Sequence, residues 1–160
     1  MGGLMALTQL VSLLLVGVIA GMFVATQIGQ VRVQRTLGAR DFTLVKHSFE
    51  VAVGRIMPVL VIAAGVSIVP VLVLSIVTAD RAALVFSALA LALWAGAIVV
   101  TLMVNVPVNR LAAEWDPESP PSDWVQLRDR WHLGQTIRTP MALASFVCLG
   151  LGMAWPQLAS

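Results

Sequence analysis

A histidine and a glutamate stand three residues apart, just before a long uncharged stretch, and together they could act as a general base. His47 and Glu50 share one face of a helix at this spacing. A neutral imidazole beside a carboxylate can accept a proton near neutral pH. The alternative is a solvated pair on a turn beside the membrane, because such pairs are common on helices.

Two asparagines offer amide groups that could hold a substrate oxygen. Asn105 and Asn109 lie four residues apart and share a helix face, which Thr101 and Trp94 continue. Their carboxamides could bind a quinone or phenol oxygen, or they could cap the helix end that Pro107 disturbs. They need partners in either case, because an unpaired amide near lipid costs several kcal/mol.

A second group of polar residues precedes the last uncharged stretch. Arg130 and Arg138 belong to it, and a charged side chain at membrane depth costs about 2.5–3.5 kcal/mol and usually faces the protein interior. For Arg138 the alternative is a side chain that extends to the membrane surface. Trp131 could stack on an aromatic ligand, or it could anchor the helix among the lipid headgroups. Gln27 and Gln135 lie at the same end of the expected helices.

Several common chemistries lack the residues that they need. The chain has two histidines, one cysteine and no clustered carboxylates, so we predict no metal site. It has no zinc-protease, serine-hydrolase or phosphate-binding glycine motif. No run of Lys and Arg is interleaved with aromatic residues, so nucleic acid is not an expected partner. Cys148 cannot form an internal disulfide and is expected to be a small packing residue.

These residues must be positioned by membrane-spanning helices, because four long segments carry no charge. About 20 apolar residues cross a hydrocarbon core roughly 30 Å thick, and backbone in lipid must satisfy its own hydrogen bonds. With 59% hydrophobic and 11% charged residues, the chain is predicted to be an all-α membrane protein, a four-transmembrane-helix bundle. The expected spans of this single domain, 1–160, cover about 4–28, 56–78, 82–108 and 139–158.

The orientation follows from the two long connections, 29–55 and 109–138, which carry nine of the ten Lys and Arg residues. Loops rich in Lys and Arg stay in the cytoplasm, so both connections are predicted to be cytoplasmic and both termini to lie outside. The first apolar segment lacks a basic start, so we expect it to remain as a span of a bacterial-type inner or plasma membrane.

The second connection contains an amphipathic pattern. Trp124, Leu127 and Trp131 fall on one face at helical spacing, which predicts a short interfacial helix before the last span. This helix could run into the last span near Arg138, or Pro140 could mark the start of a new helix. Small residues repeat every four positions in the first span, at Gly17 and Gly21. This pattern favours close packing within the bundle, and a homo-oligomer is left open.

A series of short motifs resembles a known family, the DUF1772 or anthrone oxygenase-like family of small four-helix membrane proteins. Members have an N-x-P-x-N-like end to span three and a W…R-W…R-T run into span four. The resemblance covers the layout of essentially the whole chain, with one departure at Gln135, where members often carry Asn or His. The matching residues are, in chain order, Asn105, Pro107, Asn109, Trp124, Arg130, Trp131, Arg138 and Thr139.

The resemblance implies an enzyme that oxidises anthrones to anthraquinones with molecular oxygen, without a clear metal or flavin. The enolate of an anthrone can pass an electron to oxygen unaided, so the protein has to remove a proton, stabilise an oxyanion and exclude water. His47 would be the base, oriented by Glu50, and Asn105, Asn109 and Arg138 would hold the oxyanion. The predicted substrate-binding residues are Gln27, Trp94, Thr101, Arg130, Trp131 and Gln135.

The leading prediction is therefore a membrane-embedded, cofactor-independent oxygenase or related tailoring enzyme with molecular oxygen as co-substrate. Its expected partners are the lipid bilayer and a lipophilic aromatic polyketide substrate. Two alternatives remain at this point. One is a cyclase or isomerase that uses the same base and oxyanion donors, and the other is a non-enzymatic small-molecule binder or assembly subunit.

Overall fold

The chain folds into five helices in a computed structural model that describes residues 2–158, apart from the side chain of Gln157. Four of these helices are long and apolar enough to cross a membrane, and residues 2–158 form no β-strand, so the predicted all-α membrane fold is confirmed. The helices are α1 (Gly2–Thr36), α2 (Ala39–Val53), α3 (Ile56–Val77), α4 (Arg81–Ala113) and α5 (Trp124–Leu158).

The short interfacial helix that the sequence predicts before the last span is not separate from it. The helix that begins at Trp124 continues through Pro140 and ends at Leu158. A proline removes one backbone donor, but membrane helices tolerate it where neighbouring Ser and Thr hydroxyls bond to the backbone. Here the hydroxyl of Thr139 donates to the carbonyl of Gln135 at 2.8 Å, in the turn that precedes the proline.

Three of the long helices are longer than a bilayer requires. The 35 residues of α1 span about 50 Å at 1.5 Å per residue, against a hydrocarbon core of roughly 30 Å. The last turns of α1 and α4, the first turns of α5 and all of α2 form one end of the bundle, which we call the connection end. The side of the membrane that it faces stays a prediction, and the chain ends Met1, Ala159 and Ser160 lie outside the described residues.

The four long helices pack as a ring, in which α1 and α4 each contact both α3 and α5. Small residues allow this close approach. A Cβ atom at Gly17 would lie 2.8 Å from the ring of Phe146, and one at Gly65 would lie 2.8 Å from the ring of Trp94. The outer faces of the helices carry exposed Leu, Val and Ile side chains, as contact with lipid requires.

The turn between α3 and α4 is short, as the sequence indicates. Ala79 takes a positive φ of 54°, and the Asp80 carboxylate caps α4 by accepting a hydrogen bond from the Ala83 amide at 3.0 Å. The two helices are therefore antiparallel neighbours, and both contribute to the cavity described below.

Candidate functional site: a cavity lined by cations

Two of the long helices contain a widened π-helical turn near the connection end. The turns are Thr26–Gln30 in α1 and Thr101–Asn105 in α4, and both pack against α5. Each holds one more residue than an α-helical turn, and such turns are frequent at functional sites. The two turns therefore mark the depth at which a site would be expected.

A cavity of about 520 Å³ lies beside these turns, lined by residues from all five helices. Most of its wall is apolar, with Met57, Val61 and Ile98 among the lining side chains. This combination of an apolar wall with a few convergent polar groups is typical of a small-molecule site. The polar and charged side chains that line it are Thr26, Gln30, Lys46, Glu50, Thr101, Asn109, Arg110, Trp131 and Arg138.

Lys46 is the buried cation on one side of the cavity, with 8% of its surface exposed. Its Nζ donates a hydrogen bond to Asn109 Oδ1 at 2.6 Å and lies 4.3 Å from the centre of the Trp131 ring. Burial lowers the pKa of Lys46 to about 8, while Glu50 acts to raise that pKa and Arg138 to lower it further. The ammonium group thus has one neutral acceptor and one aromatic face, and it stays largely protonated at neutral pH.

Arg138 is the second cation of the wall, half-buried and held by neutral groups, whereas the third, Arg110, is exposed. Arg138 Nε donates to Gln135 Oε1 at 2.8 Å, and its Nη1 donates to Thr101 Oγ1 at 3.1 Å. The guanidinium lies 4.3 Å from the centre of the Phe23 ring. Gln135 is itself fixed, because its amide nitrogen donates to the Phe23 carbonyl at 2.8 Å. Gln135, the residue at which this chain departs from the family pattern, therefore positions Arg138.

Neither cation has an ionic partner among residues 2–158. No carboxylate oxygen of these residues lies within 4.0 Å of the Lys46 ammonium or the Arg138 guanidinium. Glu50 lines the same cavity but is exposed. Buried charges are normally paired, because desolvation without a counter-charge is costly. The cavity is therefore electrostatically suited to an anionic or oxyanionic ligand.

No hydrogen bond or ion pair joins His47 to Glu50 in residues 2–158. The His47 ring nitrogen Nε2 lies 2.9 Å from the carbonyl oxygen of Ala112 at the end of α4, and His47 is not among the cavity residues. Glu50 instead lies over Gly54 at the cavity wall. The predicted dyad is therefore not formed in residues 2–158, and Glu50 is the carboxylate that faces the cavity.

The two asparagines have different surroundings. Asn109 lines the cavity and accepts from Lys46, as described above. Asn105 is buried behind the cavity wall, where its Nδ2 donates to the Trp131 carbonyl at 3.0 Å and its Oδ1 faces Gly134. Asn105 thus joins α4 to α5, and Asn109 is the asparagine available to a ligand.

Four predicted substrate-binding residues do not line the cavity, and three of them have no contact with its cations. Trp94 is buried in the core of the bundle, and its Nε1 donates to the Val61 carbonyl at 3.1 Å. Gln27 donates to the hydroxyl of Thr136 at 3.2 Å, between α1 and α5. Arg130 is exposed on α5. The other predicted residues, Thr101, Trp131 and Gln135, either line the cavity or hold Arg138.

Lys46 lines the cavity although it is not among the predicted site residues, and it stood only as one of the charges of the connection 29–55. A signal for it is present, because Phe42, Lys46, Phe49 and Val53 follow one another at helical spacings of four, three and four. Lys46, Phe49 and Val53 line the cavity, and Phe42 is buried outside it. A lysine in the middle of an apolar stripe is a candidate for a functional cation.

A comparison with known protein families finds one match. The family described as anthrone oxygenase matches residues 45–148. The chain belongs to the anthrone oxygenase family. No curated protein and no solved structure matches it.

The anthrone oxygenase family match includes all the charged residues of the cavity. Lys46, Glu50, Arg110 and Arg138 lie inside the matched segment, whereas the π-helical turn of α1 lies before it. No group of three or more His, Cys, Asp and Glu residues is close enough to hold a metal ion in the part of the chain that the structure describes. The donor set that the family segment brings together is thus one of cations, amides and a single carboxylate.

Proposed function

We propose that this protein is a membrane-embedded oxygenase that converts a lipophilic, anthrone-like aromatic ketone to its quinone through an enolate. The observation that carries the proposal is the pair of cations, Lys46 and Arg138, that converge on an apolar cavity without a carboxylate partner within 4.0 Å in residues 2–158. An enolate oxygen would supply the missing negative charge. Membership of the anthrone oxygenase family supports the same chemistry.

The first step is the removal of a proton from the central carbon of the ketone. We assign this step to Glu50, because it is the carboxylate that lines the cavity, whereas His47 bonds to Ala112 instead. The electrons of the broken C–H bond move into the ring system, and the ketone oxygen becomes an oxyanion. Lys46 and Arg138 stabilise this oxyanion, and positioned donors of this kind are worth roughly 10²–10³ in kcat.

The second step uses molecular oxygen, which the proposal requires as the oxidant. The enolate reduces dioxygen, a C–O bond forms at the central carbon, and loss of water leaves a second carbonyl. One anthrone and one dioxygen therefore give one anthraquinone and one water, so that atoms and electrons balance. The enolate itself carries the electrons, so the proposed reaction uses no metal or organic cofactor.

The substrate is proposed to reach the cavity from the bilayer. Several apolar residues that line it are also exposed at the surface of the bundle: Met22 on α1, Ile62 on α3 and Leu102 on α4. A lipophilic polycyclic molecule partitions into lipid, so an apolar rim facing the bilayer provides its shortest route. The same rim limits access of bulk water to the enolate.

The experiment supplies an anthrone to membranes that contain the protein and follows oxygen uptake and quinone formation. We expect Lys46→Met, Glu50→Gln and Arg138→Met each to lower the rate above empty membranes by about 10²-fold or more. Arg32→Gln is the matched control, because Arg32 is an exposed cation of the connection end outside the cavity.

Each result leads to a different conclusion. Rates equal to those of empty membranes for wild type and all variants would refute the oxygenase. Turnover of the ketone without a change in oxidation state would identify a cyclase or isomerase, which needs the same base and oxyanion donors. Binding without turnover would identify a small-molecule binder. Loss of activity with a metal chelator would refute the cofactor-independent step.

A further inference from the structure

A second hollow, separate from the cavity, lies between the end of α1 and the beginning of α5. It measures about 640 Å³ and is lined by Arg35, Arg128, Asp129, His132, Leu133 and Thr136. None of these residues lines the cavity with Lys46 and Arg138. The hollow therefore requires an explanation of its own.

The floor of the hollow is a buried histidine with an unused acceptor. His132 is 2% exposed, and its Nε2 lies 3.0 Å from Gln34 Oε1. In this orientation of the Gln34 carboxamide, whose oxygen only accepts, Nε2 carries the hydrogen and Nδ1 of the neutral ring presents a lone pair. No residue in 2–158 donates to Nδ1, although it is buried. A buried acceptor of this kind is normally satisfied, so a hydroxyl donor is expected in the hollow.

The walls of the hollow carry two arginines and one carboxylate. Arg128 donates from its Nε to Asp129 Oδ1 at 2.9 Å, and Asp129 lies 4.0 Å from His132 Nδ1. Arg35 is exposed on α1, and no ion pair in residues 2–158 uses it. The walls therefore have a net positive charge, together with a carboxylate that can accept a second hydroxyl. A ligand that matches them has a negative group and at least one hydroxyl.

The surface next to the hollow is apolar. Leu133, which lines the hollow, is 58% exposed, and Ile137, one turn further along α5, is 42% exposed. These two side chains lie on the same face of a membrane-spanning helix, so they are positioned to contact an acyl chain. The hollow is thus charged where a lipid headgroup would lie and apolar where its tails would run.

We propose that this hollow binds an anionic phospholipid whose headgroup carries free hydroxyls, as in phosphatidylglycerol. The phosphate pairs with Arg35 and Arg128, and the headgroup hydroxyls donate to His132 Nδ1 and to the Asp129 carboxylate. Basic pockets between transmembrane helices bind anionic headgroups through the same contacts. This site is independent of the proposed oxygenase activity.

The test uses the purified protein in mixed micelles that contain equal amounts of phosphatidylglycerol, phosphatidylmethanol and phosphatidylcholine. Native mass spectrometry measures which lipid remains bound. We expect phosphatidylglycerol to be retained preferentially, and Arg35→Gln to weaken its retention about fivefold, the effect of one arginine near an anionic surface. Arg55→Gln is the matched control, because it removes an exposed arginine at the same end but outside the hollow.

A second variant tests the hydroxyl contacts. Asp129→Asn removes the carboxylate, and we expect it to reduce the preference for phosphatidylglycerol over phosphatidylmethanol, because a methyl headgroup offers neither a hydroxyl nor an amine to donate. Equal retention of all three lipids, or an equal loss in the Arg35 and Arg55 variants, would refute the site. Equal retention of the two anionic lipids by wild type would refute the role of His132. Displacement of bound lipid by millimolar inorganic phosphate would show that a free anion, rather than a lipid, is the ligand.

Discussion

Replacing Lys46 by methionine should separate the function of the cavity from the stability of the fold. Burial is the largest cause that lowers the pKa of Lys46 from 10.5 to about 8. One pKa unit corresponds to about 1.4 kcal/mol, so the folded protein holds this charge at a cost of about 3 kcal/mol. Because the pKa is lower in the folded protein, this cost is fully present below pH 8. It falls as the pH rises from 8 to 10.5 and is absent above 10.5.

Methionine is one atom shorter than lysine, keeps its unbranched shape and removes the charge. The cost of about 3 kcal/mol is then relieved, but Asn109 loses the donor that lies 2.6 Å from its Oδ1, which costs about 1–3 kcal/mol. The two effects oppose each other. We therefore expect the free energy of unfolding of Lys46→Met at pH 7 to lie within about 2 kcal/mol of wild type, measured by denaturant titration in detergent.

Ligand binding should change much more than stability. A cation within about 4–6 Å lowers the pKa of an acid by roughly 1–3 units, so a hydroxyanthraquinone in the cavity should ionise well below its solution pKa. Its visible absorbance reports this ionisation directly. In Lys46→Met the phenol pKa should rise by at least one unit and the affinity for the phenolate should fall at least about tenfold. In wild type the affinity should also decrease above pH 8, as Lys46 loses its proton.

The same titration can refute the reasoning. If Lys46→Met binds the probe with wild-type affinity and the same pH profile, Lys46 does not face the ligand and the cavity is not an oxyanion site. Arg32→Gln controls for a general loss of positive charge at the connection end, because Arg32 is exposed and does not line the cavity. It should leave the phenol pKa unchanged.

Two further predictions concern the helices that position the site. Gly134→Ala should lower the free energy of unfolding by about 1–3 kcal/mol, because the added Cβ would lie 2.6 Å from Asn105 Oδ1. Gly21→Ala is the control and should not lower it, because its Cβ would have no atom within 4 Å. Thermal unfolding in detergent measures both variants. Deletion of Ile28, an exposed residue of the π-helical turn in α1, should leave a folded protein with a normal α-helical turn, whereas deletion of the exposed Leu89 in an α-helical stretch should rotate all that follows by about 100° and abolish folding. Size-exclusion chromatography distinguishes the two deletions, and equal behaviour would contradict the second prediction.

The sequence determines the spans and much of the site because charge is excluded from lipid. Charge-free stretches longer than about 20 residues allow few alternatives to helices that span the membrane. Polar side chains that end up at one depth also have to meet inside the bundle. For that reason Glu50, Thr101, Asn109, Trp131 and Arg138, all chosen from the sequence, line one cavity.

The positions of His47 and Lys46 could not be predicted in the same way. Spacing shows which residues share a face of α2, but the direction of that face depends on the rotation of the helix about its own axis. This rotation is set by Phe42, which packs between Trp115 and Trp124 with ring centroids 6.2 and 5.7 Å away. Those contacts join residues more than 70 positions apart, and periodicity within one helix contains no information about them.

The π-helical turns explain why spacing alone also misassigned the faces of α4. Residues two α-helical turns apart lie on the same face and are about seven positions apart in the sequence. One extra residue in a widened turn increases that spacing to about eight. Thr101 and Asn109 are eight apart across one such turn, and both line the cavity. Met22 and Gln30 repeat this relation across the turn of α1.

The sequence offers a reason for one of these turns and none for the other. The ring of Pro107 crowds the carbonyl four residues earlier, that of Met103, so a wider turn at Thr101–Asn105 relieves a steric conflict. The turn at Thr26–Gln30 has no proline after it. Its extra residue is accommodated where Gln27 bonds across to α5. The cavity thus depends on two local departures from α-helical periodicity that face the same helix, and only tertiary packing selects the position of the one in α1.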